Sequence, residues 1–164
     1  MSVGTMQELF VDELKDLYSA EKQITRALPK LAKAVTSEDL KQALLSHLDE
    51  TKGHVARLEQ IFEKLGKKPA GKTCVGMKGV LEEGSEMLED TDKGVVRDAG
   101  LISAAQRVEH YEMAGYGSAR DFAKSLGQGE IATLLEQTLE EEKAADKKLT
   151  LISKQVNAEA KRAQ

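Results

Sequence analysis

Acidic residues recur in this 164-residue chain at positions where an amphipathic helix would ordinarily carry an apolar side chain. Glu21 falls on the line Phe10, Leu14, Leu17, Ile24, Leu28, Leu31, whose steps are helical. Glu109 and Glu112 sit on the inner side of a second line, Leu101, Ala105, Val108, Tyr116, Phe122. Glu142 continues a third, Ile131, Leu135, Leu139, Leu149, Ile152, with Asp146 one turn further on. Glu50 and His54, ~40° apart around a helix, flank a fourth made of Leu44, Leu48, Val55, Leu58 and Phe62, and His47 lies one turn before Glu50. One inward carboxylate is unremarkable, because most such groups reach solvent at a helix edge. Acids at a similar depth on four helices are another matter. Buried together they would raise one another's pKa and stay partly protonated, a cost that a bound cation removes. Oxygen-rich ligation with some imidazole suits iron, manganese or zinc.

The elements that would position these groups are legible in turn. Thr5-Met-Gln-Glu8 is a capping box and starts a helix near residue 6. Pro29 lies inside its pattern and predicts a kink or a freed carbonyl four residues back. Thr36-Ser37-Glu38-Asp39 is a stop and restart, and Gly66 followed by Pro69 and Gly71 ends the second helix. Gly127-Gln128-Gly129 is a tight break. The pattern predicts long helices at about 6–34, 37–65, 95–126 and 129–156, then a frayed polar tail from Asn157 to Gln164. Residues 66–94 form a crossover with a short helix of their own around Met77, Val80, Leu81, Met87 and Leu88. Short turns make antiparallel neighbours, so one long middle connection predicts an all-α, ferritin-like four-helix bundle, a single domain over 1–164.

An internal repeat supports a two-part site. Residues 19–58 slide onto 110–149 without a gap, pairing Glu21 with Glu112, Leu44 with Leu135, Leu48 with Leu139, Glu50 with Glu141 and Leu58 with Leu149. A two-metal centre in such a bundle is built from two related halves. The repeat and the apolar line disagree about the last helix. The repeat favours Glu141, whereas the line puts Glu142 inward and Glu141 ~100° away. Glu142 is ranked first and Glu141 kept on the flank. The usual plan sets a His three residues after a Glu on two helices. Here Glu50 and His54 are four apart and the last helix has no His. Asp146 is one candidate substitute; an asymmetric site or a weak second metal are the others.

Other residues are assigned plainer roles. Tyr18, Tyr111 and Tyr116 are expected to pack with one tethered hydroxyl, Cys74 to be a small packing residue, and His110 to lie off the apolar line. The totals exclude several classes. A net charge of -4 gives no general pull toward nucleic acid. No stretch approaches the roughly 18 apolar residues of a membrane helix. The single cysteine cannot form an internal disulfide, and Met1 to Phe10 shows no secretory pattern, so a reducing cytoplasm is expected. Small residues at Ala104, Ala105, Gly115, Gly117 and Ala119 suggest a face for close helix approach in a homodimer.

The segments Tyr18-Ser-Ala-Glu21-Lys-Gln, His47-Leu-Asp-Glu50-Thr, Val108-Glu109-His110-Tyr111-Glu112 and Leu139-Glu140-Glu141-Glu142-Lys143 resemble the YciF/YciE family of bacterial ferritin-like stress proteins, from about Leu9 to Leu151. The resemblance implies a closely packed helical dimer, a link to general and osmotic stress, and a rubrerythrin-like set of acids. That set maps onto Glu21, onto Glu50 and His54 with altered spacing, onto Glu109 and Glu112, and onto Glu141 or Glu142 without the His that should follow. The expected function is a stress protein with a carboxylate-rich di-iron site reacting with peroxide or dioxygen. The alternative is a non-catalytic dimeric helical protein whose metal site is structural or vestigial.

Overall fold

The structure, a computed structural model, describes residues 3–163 and has five helices and no strand among them. They are α1 (Met6–Ala34), α2 (Glu38–Lys64), α3 (Val75–Asp90), α4 (Val95–Ser125) and α5 (Gly129–Arg162). α1 pairs with α2 and α4 with α5; across the bundle α1 lies against α4 and α2 against α5, while α3 rides on α4 and α1. This is the all-α bundle with a helix-bearing crossover that the spacing predicts.

The ends form where the signals lie. The Thr5 hydroxyl accepts from the Glu8 amide at 3.1 Å and the Glu8 carboxylate from the Thr5 amide at 3.0 Å, closing the capping box. Gly66 and Gly127 adopt φ of 61° and 71°, a left-handed conformation that costs glycine nothing, so the chain turns off α2 and α4 there. α1 runs on through Pro29 to Ala34. One boundary differs from expectation. α5 does not fray at Asn157 but continues to Arg162, because Val156 is buried in the core and Lys161 and Arg162 complement the helix C-terminus.

Asp98, in the first turn of α4, holds the α1–α2 turn in place. Its buried carboxylate accepts from the Thr36 amide at 2.9 Å and the Ser37 amide at 2.7 Å. Asp98→Ala strands both donors, and a charge-assisted bond of this kind is worth about 2 kcal/mol. The expected result is a lower urea midpoint at unchanged slope; a loss below about 0.5 kcal/mol would refute this role.

Cys74 caps α3 at its N-terminus. It is fully buried, its sulfur accepts from the Met77 amide at 3.3 Å and lies 3.0 Å from the Tyr111 hydroxyl, and that hydroxyl also donates to Asp16. The small-residue face serves the chain itself. Ala104, Ala105 and Ala119 are buried within it, and a Cβ on Gly115 would lie 2.7 Å from the Leu17 side chain. These four positions serve packing within the chain, while a Cβ on Gly117 would meet nothing within 4 Å.

The apolar core is split in two. One cluster gathers Ile24, Leu28, Leu44, Val108 and Leu149; the other gathers Phe10, Leu14, Leu58, Tyr116, Leu135 and Leu139. On α1 Glu21 lies between members of the two clusters, on α4 Glu112 does, and on α5 Glu142 does. On α2 the intervening buried residues are His47, Thr51 and His54. The acids thus form a polar layer across the middle of an apolar bundle.

Candidate metal centre

Four helices meet in this layer. His54 Nδ1 lies 2.8 Å from Glu142 Oε1 and 3.2 Å from Glu21 Oε1, yet it has no hydrogen-bond partner among the described residues. The atoms are close but not aimed as donor and acceptor. A second group stands beside the first, with His47 Nε2 3.0 Å from Glu109 Oε1 and 3.7 Å from Glu142 Oε2. Each trio, Glu21–His54–Glu142 and His47–Glu109–Glu142, has donor atoms within 4.8 Å of one another, the spacing of a set of metal ligands. Glu142 belongs to both and presents one oxygen to each.

Glu112 completes the layer. Both its oxygens are buried without a partner among the described residues, as are both oxygens of Glu142 and one each of Glu21 and Glu109. So many orphaned buried acceptors are rare in a protein that satisfies them internally. Burial pushes the Glu112 carboxyl well above its ordinary range, and Glu21, Glu142 and Glu109 push it further. Glu21 is raised by burial, against the pull of His54, while its Oε1 accepts from the Tyr116 hydroxyl at 2.6 Å. Glu142 is raised to about 8, by burial first and then by Glu109. On His54 burial acts downward, but Glu142 and Glu21 outweigh it and raise the imidazole to about 10. A divalent cation would reverse each of these costs, since it holds the acids ionised and the imidazoles neutral.

Glu50 and Glu141 stand outside this ring. The Glu141 side chain is 33% exposed against 1% for Glu142, so the inward line rather than the repeat gives the inner residue of α5. Glu141 Oε2 lies 2.8 Å from His54 Nε2, and Arg57 donates to both its oxygens and to the buried Thr138 hydroxyl. Burial raises the Glu141 carboxyl, but Arg57 and His54 hold it below the usual range. Glu50, with a side chain 45% exposed, sets Oε2 3.2 Å from His47 Nδ1, and His47 in turn keeps it low. Each carboxylate engages the outer nitrogen of one histidine and leaves the other nitrogen facing inward, the arrangement that orients metal-binding imidazoles.

Asp146 does not replace the missing histidine. Four residues beyond Glu142 it has turned ~40° round the helix, and it meets the Gln106 amide at 3.2 Å and His110 Nε2 at 3.2 Å. His47 takes the place instead. Its signal was present in the sequence, because 44, 47, 51, 54 and 58 run in steps of three and four. The line Leu44, Leu48, Val55 masked it by one residue. Arg57 and Thr138 carried no sequence signal, since their role depends on the approach of α2 to α5.

The bundle and the site have known counterparts. The chain is 50% identical over 151 residues to protein YciF of Escherichia coli strain K12, covering 92% of this chain and 91% of that one. It superposes on the crystal structure of that E. coli stress protein with a TM-score of 0.92 at 48% identity, covering 95% of this chain and 99% of the other. A ferritin-like, diiron-carboxylate protein from Bacillus anthracis shares the fold with a TM-score of 0.72 at 15% identity, over 92% of this chain and 99% of that chain. The protein is therefore a homologue of the YciF stress protein with a ferritin-like fold, and its buried histidines and carboxylates are arranged as a group able to hold metal. No helix among the described residues is long and apolar enough to cross a membrane. With a family model matching residues 5–161, the chain belongs to the family described as a domain of unknown function, DUF892, as the YciF/YciE resemblance implies.

Proposed function

We propose that this protein acts in the stress response through a pair of metal ions, iron foremost, held in the polar layer and reacting with peroxide or dioxygen. The observation that carries the reading is the set of buried carboxylate oxygens that lack partners around two histidines. Glu21, His54 and Glu142 would hold one ion and His47, Glu109 and Glu142 the other, with the unpartnered Glu112 carboxylate offering further oxygen donors. A ferrous pair supplies two electrons to an O–O bond.

The chain's own residues set the conditions. Glu142 serves both halves, so it fixes their separation. Glu50 and Glu141 hold the imidazoles in register, and Arg57 clamps Glu141. The Tyr116 hydroxyl keeps Glu21 Oε1 turned toward the layer. The two apolar clusters exclude water on either side, which strengthens every charge interaction between them. Manganese or zinc would find the same donors acceptable. A homodimer in a reducing cytoplasm is part of this reading, and light scattering checks the association.

The test is metal analysis after loading with iron, manganese or zinc, followed by absorbance on adding peroxide or dioxygen. The expected result is up to about two ions per chain with an iron-dependent optical change. No retained metal after any loading would remove the reading. Metal uptake without an optical response would leave a structural site.

A further inference from the structure

A cavity of about 120 Å³ adjoins the His47–Glu109 half of the layer. Its floor is apolar, made by Ile24, Leu28, Leu44, Val108 and Leu149. The exposed residues along its edge are Ser46 and Glu50 on α2 and Ala144 and Lys148 on α5, so it opens between those helices. The internal repeat explains why there is room. The repeat partner of His54 is Ala145, which lines the cavity with a methyl group where a second ligand histidine would project an imidazole. In this chain the second buried imidazole is His47, on α2, and the space beside Ala145 is left open.

We propose that this cavity binds the alkyl body of a small organic hydroperoxide, with the peroxide head at the His47–Glu109 end. Three features point to this occupant. An apolar cavity of about 150 Å³ admits benzene, so this one suits a body of about four carbons. Its floor supplies no hydrogen bonds, which disfavours hydrogen peroxide itself: that molecule would lose water contacts along its whole surface. Inside the mouth, where Ser46, Glu50 and Lys148 are exposed, the buried polar groups of the lining are His47 and Glu109, a small polar set of the kind that orients an otherwise apolar ligand. The chemistry rests on the metal reading above. A ferrous pair held there would supply the two electrons that the O–O bond needs, each ion becoming ferric, and two waters at the mouth would supply the two protons and be left as hydroxide. It breaks to give the alcohol and water.

The experiment separates the cavity from the metal. In metal-free protein, tert-butanol, the unreactive product analogue, is titrated while the methyl signals of Ile24, Leu28, Val108 and Leu149 are followed by NMR. Saturable shifts confined to these methyls are expected, weakened at least tenfold in Ala145→Leu, which fills the space. Shifts that are linear or spread over the surface overturn the proposal, and the unaltered protein alone decides this if the variant does not fold. In iron-loaded protein, Ala145→Leu should keep its iron and lose at least tenfold in rate with tert-butyl hydroperoxide relative to hydrogen peroxide. An unchanged ratio also overturns it. If no iron binds, the metal reading and the redox step fail together, while saturable alcohol binding would still support the cavity as an apolar ligand site.

Discussion

Glu142→Gln should abolish the paired site, while Glu141→Gln, one residue earlier, should leave it weakened but whole. Glu142 is the residue common to both donor trios, with one oxygen toward His54 and the other toward His47. The amide keeps the shape but removes the charge and one of the two acceptors. One ion would then lose its ligand atom and the other would keep only a neutral amide oxygen, and stoichiometry should drop from about two to one or none. Glu141 acts through His54, holding its outer nitrogen. Loss of such an orienting carboxylate costs about 10–100-fold in metal affinity, without changing the number of ions at saturating metal. The metal-free proteins give an independent reading. Glu142→Gln removes one of several mutually repelling buried acids, so its metal-free melting temperature at about pH 8 should equal or exceed that of the parent. Metal analysis, affinity titration and calorimetry would measure all three quantities. Retention of two ions by Glu142→Gln, or loss confined to Glu141→Gln, would mean that the inner residue has been misassigned.

Metal-free protein should lose stability as pH rises above neutrality, and metal should cancel the loss. Glu142 is raised from an ordinary 4.5 to about 8 in the fold, and Glu21 and Glu112 are raised as well. A raised carboxyl binds its proton more tightly folded than unfolded. Its contribution is full below about 4.5 and is lost as pH climbs through the folded value. His54, raised from 6.5 to about 10, has the same sign: its contribution is full below 6.5 and lost toward 10. His47 is also raised, since Glu109 and Glu50 outweigh the effect of its burial. Glu50 and Glu141 are lowered, so their contribution is lost only in acid, below the window in question. Every group facing the layer from α1, α2, α4 and α5 that is shifted upward therefore favours falling stability from about pH 6 to about pH 9. Metal binding runs the other way, because it needs the ligands without their protons and tightens with pH. The gap between metal-loaded and metal-free melting temperatures should widen over that range. Parallel curves would show that the layer does not exchange protons for metal.

Much of the fold could be read from the chain because its signals are local. The Thr5–Glu8 box, Gly66, Gly127 and the apolar lines act within a turn or two of helix, and they placed the bundle and its crossover. The site was legible where a residue lay on such a line, as Glu21, Glu112 and Glu142 do. It was not legible where the role depended on a neighbouring helix. Glu50 and Glu141 matched in the repeat and looked like ligands, but their places are set by the outward nitrogens of His47 and His54. Asp146 satisfied the donor chemistry and missed the layer by a rotation that only the packing of α5 against α4 makes visible. The repeat itself has drifted, with Thr51 standing opposite Glu142 and Ala145 opposite His54, so it marks the depth of the centre better than its ligands.

The split core has a consequence for traffic. His54 and its trio lie fully inside the bundle, whereas His47 borders the cavity that opens between α2 and α5. On the proposed reading an ion bound for the inner trio travels by way of the outer one. The inner position would then fill first and empty last, with the outer ion between it and the mouth. Such a protein would turn over half its metal quickly and keep the other half as a resident, so that under shortage it declines to a one-ion form before it declines to none.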